Sequence, residues 1–185
     1  SAYTYPRVVP DAGRWAAFCD STGGWLPLVC TMNSTVATEA VAGLCDFSTK
    51  QGDELLAGTR PGAAGLLMLP FFNGERTPNL PNGRGSLFGM TATNLTPANL
   101  YRAAMEGAVY SLKNGYDAFV DAGMHFEAIR PTGGGSHSAV WRQMVADVFG
   151  LPVGVPEQAE GAAVGAAPQA LWGSQRGSEP GGRLA

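Results

Sequence analysis

One stretch of the 185-residue sequence has the residue types and spacing to do chemistry: Thr132-Gly133-Gly134-Gly135-Ser136. It follows Glu127 to Pro131, which reads as a short strand, and leads into a helix through Val148. Glycine lacks a Cβ and tolerates positive φ, so a ligand can lie directly on such a backbone. A helix starting near Ser136 offers free N–H groups and the positive end of its dipole to an anion. The chemistry implied is the binding of a phosphate or nucleotide; the alternative is a tight turn that needs glycine for geometry alone. No Lys follows the glycines and the G-x-G-x-x-G spacing is absent, which argues against a P-loop or a Rossmann site. His137 is either a polar ligand contact or an exposed helix-start residue, and Trp141 and Met144 read as core in preference to an adenine platform.

Few other residues offer catalysis. Asp11, Asp20, Asp46, Asp53, Asp117, Asp121 and Asp147 mostly fall on expected turns and helix surfaces, so none is assigned as a base. Glu75 and Arg76 either touch a ligand from the long segment that holds them or, the expected reading, pair with backbone or each other and brace it. Glu106 follows Arg102 by four residues, the spacing of a solvated or partly buried ion pair. His125 and His137 lie near no cysteine, so no protein-built metal site is expected. Cys19, Cys30 and Cys45 lack C-x-x-C spacing and read as reduced thiols of a cytoplasmic protein.

The bulk composition agrees. A net charge of -3, with only Lys50 and Lys113 as lysines, argues against nucleic-acid binding. No apolar run approaches the roughly 20 residues of a membrane span, and no signal-peptide pattern opens the sequence. Charged residues make up 15%, against a usual figure of about 25%. Either the surface is unusually neutral, or part of it is covered by something else.

The elements that must position the turn follow from periodicity. Tyr3 to Cys19 suggests a short hairpin, Trp25 to Met32 a strand, and Asn33 to Cys45 a helix. Asp53 to Ala57 reads as a short helix, and Gly65 to Pro70 (GLLMLP) as a buried strand. Residues 71–96 form a long irregular segment of the kind that usually has a job. Thr96 caps the best helix, Pro97 suits its first turn, and Leu100, Ala104, Ala108 and Leu112 make its stripe as far as Gly123. Leu151 to Val155 reads as a strand and Glu160 to Leu171 as a small-residue helix, with a kink or fraying expected at Pro168. The order is an α/β pattern.

Four motifs in this order carry a family resemblance. They are PFFNGERTP (70–78), GSLFGM followed after eight residues by NLYRAAME (85–106), TGGGSHSAVWRQMVAD (132–147) and EGAAVGAA (160–167). The sequence resembles the C-terminal half of the FGGY carbohydrate kinases, most closely the xylulokinases. The resemblance implies an α/β, ribonuclease-H-like domain of the actin and hexokinase type, a mixed sheet flanked by helices. The motifs cover residues 65–170; the domain is expected to span 1–172, the composition of 173–185 reads as a disordered tail, and the N-terminal sugar-binding domain is expected to be absent from this chain.

ATP and Mg2+ are the implied cofactors and a small sugar the implied substrate, D-xylulose first, with ribulose, gluconate or glycerol as alternatives. The resemblance leaves room for a homodimer. It implies that Gly134 and Gly135 pack against the nucleotide, that Gly133 shapes the turn, and that Ser138 stands where related kinases often place an Asn at the adenosine end. Asn33-Ser34-Thr35 lies where the family brings a turn to the phosphates. The base comes from the missing domain, so the piece alone is expected to be inactive. A non-catalytic nucleotide-binding or assembly domain is the competing reading.

Overall fold

The computed structural model describes residues 13–20, 24–155 and 161–177. Strand β1 (Ala16–Cys19) pairs antiparallel with β2 (Trp25–Leu28), Cys19 facing Trp25. Two helices follow, α1 (Val36–Leu44) and α2 (Thr49–Leu56). Strand β3 (Leu67–Leu69) pairs antiparallel with β4 (Ser86–Phe88). Then come α3 (Pro97–Asp121), α4 (Ala139–Phe149) and α5 (Gly161–Gly177).

Helix α3 is the axis of the domain. The Thr96 hydroxyl accepts the Asn99 N–H at 3.2 Å, Pro97 opens the first turn, and Gly123 at φ 83° follows the end. Every residue from Tyr101 to Val109 is buried, so the helix has no solvent face over that stretch. Helices α1, α2 and α4 and strand β3 pack around it. Three glycines permit close approaches to α3. A Cβ at Gly52 of α2 would sit 2.4 Å from the Tyr101 ring, one at Gly107 2.3 Å from the Met68 carbonyl oxygen, and one at Gly115 2.3 Å from Val29. The main core joins α1 (Val41), α2 (Leu56), β3 (Met68), α3 (Met105, Val109) and α4 (Met144). A smaller cluster gathers Trp15 and Val29 on Phe119 and Met124.

Several expectations change. Instead of one mixed sheet, the described residues hold two separate antiparallel pairs and three isolated bridges, Phe72 to Gly74, Glu75 to Leu80 and, last, the parallel bridge of Ile129 to Val153. That bridge replaces the strands expected at 127–131 and 151–155. Pro131 and Pro152 have no N–H to extend the ladder, which stops at Ile129 N–H to Pro152 O and Gly154 N–H to Ile129 O. The GLLMLP run is buried on one face only: Met68 points inward while Leu67 and Leu69 are exposed. The short helix expected from Asp53 starts earlier, at Thr49, where Ser48 and Gln51 form a reciprocal capping box.

Most of the hairpin expected within Tyr3 to Cys19 lies outside the described residues, and the pairing seen is that of β1 with β2. Helix α5 continues through Pro168 and takes in Gly173–Gly177, the start of the expected tail. Pro168 is tolerated because it lies on an exposed helix, where solvent can take the carbonyl it leaves unpaired. Residues 178–185 lie outside the described part.

Tyr101 gives the fold a pH signature. Its ring meets Phe47 edge-on at 5.1 Å, and burial, with Asp53 nearby, raises its hydroxyl above the ordinary value of 10.0. The folded chain therefore keeps this proton at pH values where the unfolded chain has lost it. The stability involved is fully present below pH 10 and falls as pH rises toward the folded value. Urea midpoints are expected to decline above about pH 10, and less steeply in Tyr101→Phe; equal slopes would remove Tyr101 as a cause.

Candidate nucleotide-binding turn

The turn before α4 is built on Gly133, whose φ of 79° and ψ of −172° fall in a region open essentially to glycine alone. Gly134–His137 then form a short 3-10 turn. The buried Ser136 folds back on this turn, its N–H and Oγ both donating to the Gly133 carbonyl at 3.0 and 2.7 Å. The Ser138 N–H donates to the Gly135 carbonyl at 3.2 Å, and the Ser138 Oγ accepts the Trp141 N–H at 3.0 Å.

Helix α4 therefore starts at Ala139, later than the Ser136 start read from the sequence. Of the amides expected to be free for an anion, that of Ser136 is already used. Ser138 is the cap of α4; its hydroxyl proton remains a donor. Arg142 reaches back from the first turn of α4, and its Nη1 donates to the Ser136 carbonyl at 2.6 Å.

Gly134 and Gly135 differ from Gly133. All three are exposed, but neither Gly134 nor Gly135 has positive φ. A Cβ at Gly134 would meet nothing within 4 Å, and one at Gly135 would touch only the Trp141 indole, at 3.6 Å. Neither conformation nor internal packing calls for glycine at these two positions. Their N–H groups also make no hydrogen bond among the described residues. The result is an open backbone surface with two adjacent donors.

The family description "FGGY family of carbohydrate kinases, C-terminal domain" matches residues 16–174, with this turn inside the match. The chain belongs to the FGGY carbohydrate kinases. It is 42% identical over 176 residues to a xylulose kinase of Haemophilus influenzae, covering 95% of this chain and 36% of that protein. A gluconokinase of Bacillus subtilis is 41% identical over 109 residues, 58% of this chain and 21% of its own. The crystal structure of xylulose kinase from Bifidobacterium adolescentis superposes with a TM-score of 0.83 at 34% identity, covering 97% of this chain and 36% of that one. The chain thus spans little more than a third of the length of these xylulose kinases.

The other residues singled out in this FGGY chain have internal tasks. Glu75 is buried and braces the long loop as expected: its carboxylate accepts the N–H groups of Met32 (2.6 Å) and Arg76 (2.8 Å) and the Asn33 amide (3.1 Å). Asn33, 1% exposed, also donates to the Gly74 carbonyl and accepts the Asn73 N–H. The turn at 33–35 is therefore tied to the 71–80 loop, and among the described residues no hydrogen bond links it to the glycine turn. Sequence reasoning missed this clamp because its partners lie about forty residues apart.

Asn94 was also missed; it is buried and holds the Ala64 and Gly89 carbonyls. Arg102 and Glu106, expected to be solvated or partly buried, are buried. His137 is exposed, Met144 is core, and Trp141 packs half-buried against it.

Four carboxylates are engaged with other residues of the chain. Asp20 accepts the Gly24 N–H, Asp117 pairs with Lys113, Asp121 with Arg14, and Asp147 accepts from Gln143. No group of three metal-ligating side chains gathers among the described residues, and no helix there is long and apolar enough to cross a membrane.

Proposed function

We propose that this chain is the nucleotide-binding part of a cytoplasmic kinase that transfers the γ-phosphoryl group of ATP to D-xylulose, giving ADP and D-xylulose 5-phosphate. The observation that carries the nucleotide assignment is the pair Gly134 and Gly135: glycines that the packing and backbone of the described residues do not require, with N–H donors that make no hydrogen bond among those residues. Backbone N–H groups of this kind donate to acceptor atoms of a nucleotide, while the missing Cβ atoms let it lie against the turn. Gly133 sets the turn and Ser138 offers its hydroxyl proton to the adenosine end. The similarity to xylulose kinases supports the sugar, and the one to a gluconokinase keeps gluconate as the second reading.

The domain is read as ribonuclease-H-like, working across a cleft from a second domain that supplies the base and most of the sugar contacts. The low charge of this chain suits such a covered face. Mg2+ would supply charge neutralisation on the phosphates.

Calorimetric titration of ATP into the chain and into Gly134→Val tests the assignment. The valine is expected to weaken binding about ten- to a hundredfold, the effect of an overpacked contact. Equal affinities would sink it. The chain with ATP, Mg2+ and D-xylulose should release no ADP above background, and turnover there would place the base within these residues. Offering D-xylulose and D-gluconate in turn to the intact enzyme decides the sugar.

A further inference from the structure

We propose that Arg142 is the positioning residue of the glycine turn: its guanidinium holds the Ser136 carbonyl and so fixes how Gly134 and Gly135 are presented to a nucleotide. The inference rests on reading that turn as the nucleotide site. Three glycines in succession have more conformational freedom than any other tripeptide, so their order must come from contacts.

Ser136 N–H and Oγ to Gly133, and Ser138 N–H to Gly135, close the turn upon itself. They set its shape, and the Ser138 cap joins it to α4, but none of them engages the Ser136 carbonyl. Arg142 supplies that bond. Its backbone N–H lies in the first turn of α4, donating to the Ser138 carbonyl at 3.1 Å, while its side chain spans six residues to the Ser136 carbonyl at 2.6 Å. The bond is charge-assisted, about twice as strong as a neutral one. Ser136 is 6% exposed, so water competes poorly for it.

A positioning role makes a distinctive prediction. Arg142 acts on the whole turn, so its loss should weaken adenosine and ATP by the same factor. A guanidinium touching phosphate would instead penalise ATP and spare adenosine. The full 185-residue chain, Arg142→Met, Arg142→Lys and Gly134→Val are each titrated with ATP and with adenosine, and melting curves are recorded for all.

Arg142→Met is expected to weaken both ligands about tenfold, the scale of one lost charged hydrogen bond. Its melting temperature should stay near that of the parent. Arg142→Lys, which keeps a charged donor, should recover part of the loss for both ligands. A loss confined to ATP overturns the positioning role, as does unchanged affinity in Arg142→Met alongside impaired Gly134→Val. Should Gly134→Val bind as well as the parent, or the parent bind no ATP, the nucleotide reading falls and this inference with it.

Discussion

Gly107→Ala is expected to destabilise the chain by about 2 kcal/mol, against the direction that helix propensity alone gives. Alanine in place of glycine inside a helix is normally worth up to about 1 kcal/mol in favour of folding. Here the new Cβ would lie 2.3 Å from the Met68 carbonyl oxygen and 3.4 Å from the Pro70 ring. The obstacle is backbone, so no rotamer change relieves it. Helix α3 and strand β3 would have to part, at the point where Met68 enters the main core.

Gly43→Ala is the matched control. It lies in α1 with nothing within 4 Å of its Cβ position, and it is expected to gain up to about 1 kcal/mol. Urea unfolding of both variants, with unchanged m-values, checks the opposite signs. Stabilisation by both would mean that α3 and β3 have room to spare.

The ease of reading α3 and the difficulty of reading its surroundings have the same cause. Thr96, Pro97, the alanine-rich stripe and Gly123 are local signals, and each acts within a turn of its own position. The capping box of Ser48 and Gln51 is equally local and marks the start of α2 four residues before the expected Asp53. The start of α4 was harder because Ser136 and Ser138 both look like caps. Ser136 instead spends its hydroxyl on the Gly133 carbonyl, a choice made by the glycine conformation and not by the serine.

The glycine turn was legible as a run of residues, but the difference between Gly133 and its two successors was not. That difference needs φ values and the space beyond each Cα. GLLMLP shows the limit of hydrophobicity as a guide, because apolar residues on the outer face of β3 look the same as those on its inner face. The clamp of Asn33 and Glu75 is a meeting of distant segments, which no local pattern announces.

The largest loss of stability is expected from Glu106→Ala, about 3–5 kcal/mol, the cost of leaving one charge of a buried pair alone. An exposed pair at the same i, i+4 spacing would be worth about 0.3–0.5 kcal/mol, so the size of the effect separates the two descriptions. The Arg102 and Glu106 side chains are 10% and 6% exposed, 3.1 Å apart. Glu106 Oε1 also accepts the Gly62 N–H at 2.9 Å, and Arg102 donates to the Thr59 hydroxyl and carbonyl.

Removing the carboxylate strands a guanidinium with only Thr59 for company and leaves the Gly62 amide unpaired, so α3 loses its grip on the segment leading into β3. Glu106→Gln keeps an acceptor in place and should cost less. Arg102→Met combined with Glu106→Leu removes both charges at similar volume and should recover most of the loss. Tyr110 supplies an independent readout. Burial raises its hydroxyl above the ordinary range and Glu106 raises it further, while Arg102 acts the other way. In Glu106→Gln the Tyr110 ionisation should move down in pH, seen as earlier phenolate absorbance on base titration. A double-mutant cycle in urea giving less than about 1 kcal/mol of coupling would return the pair to the solvated class.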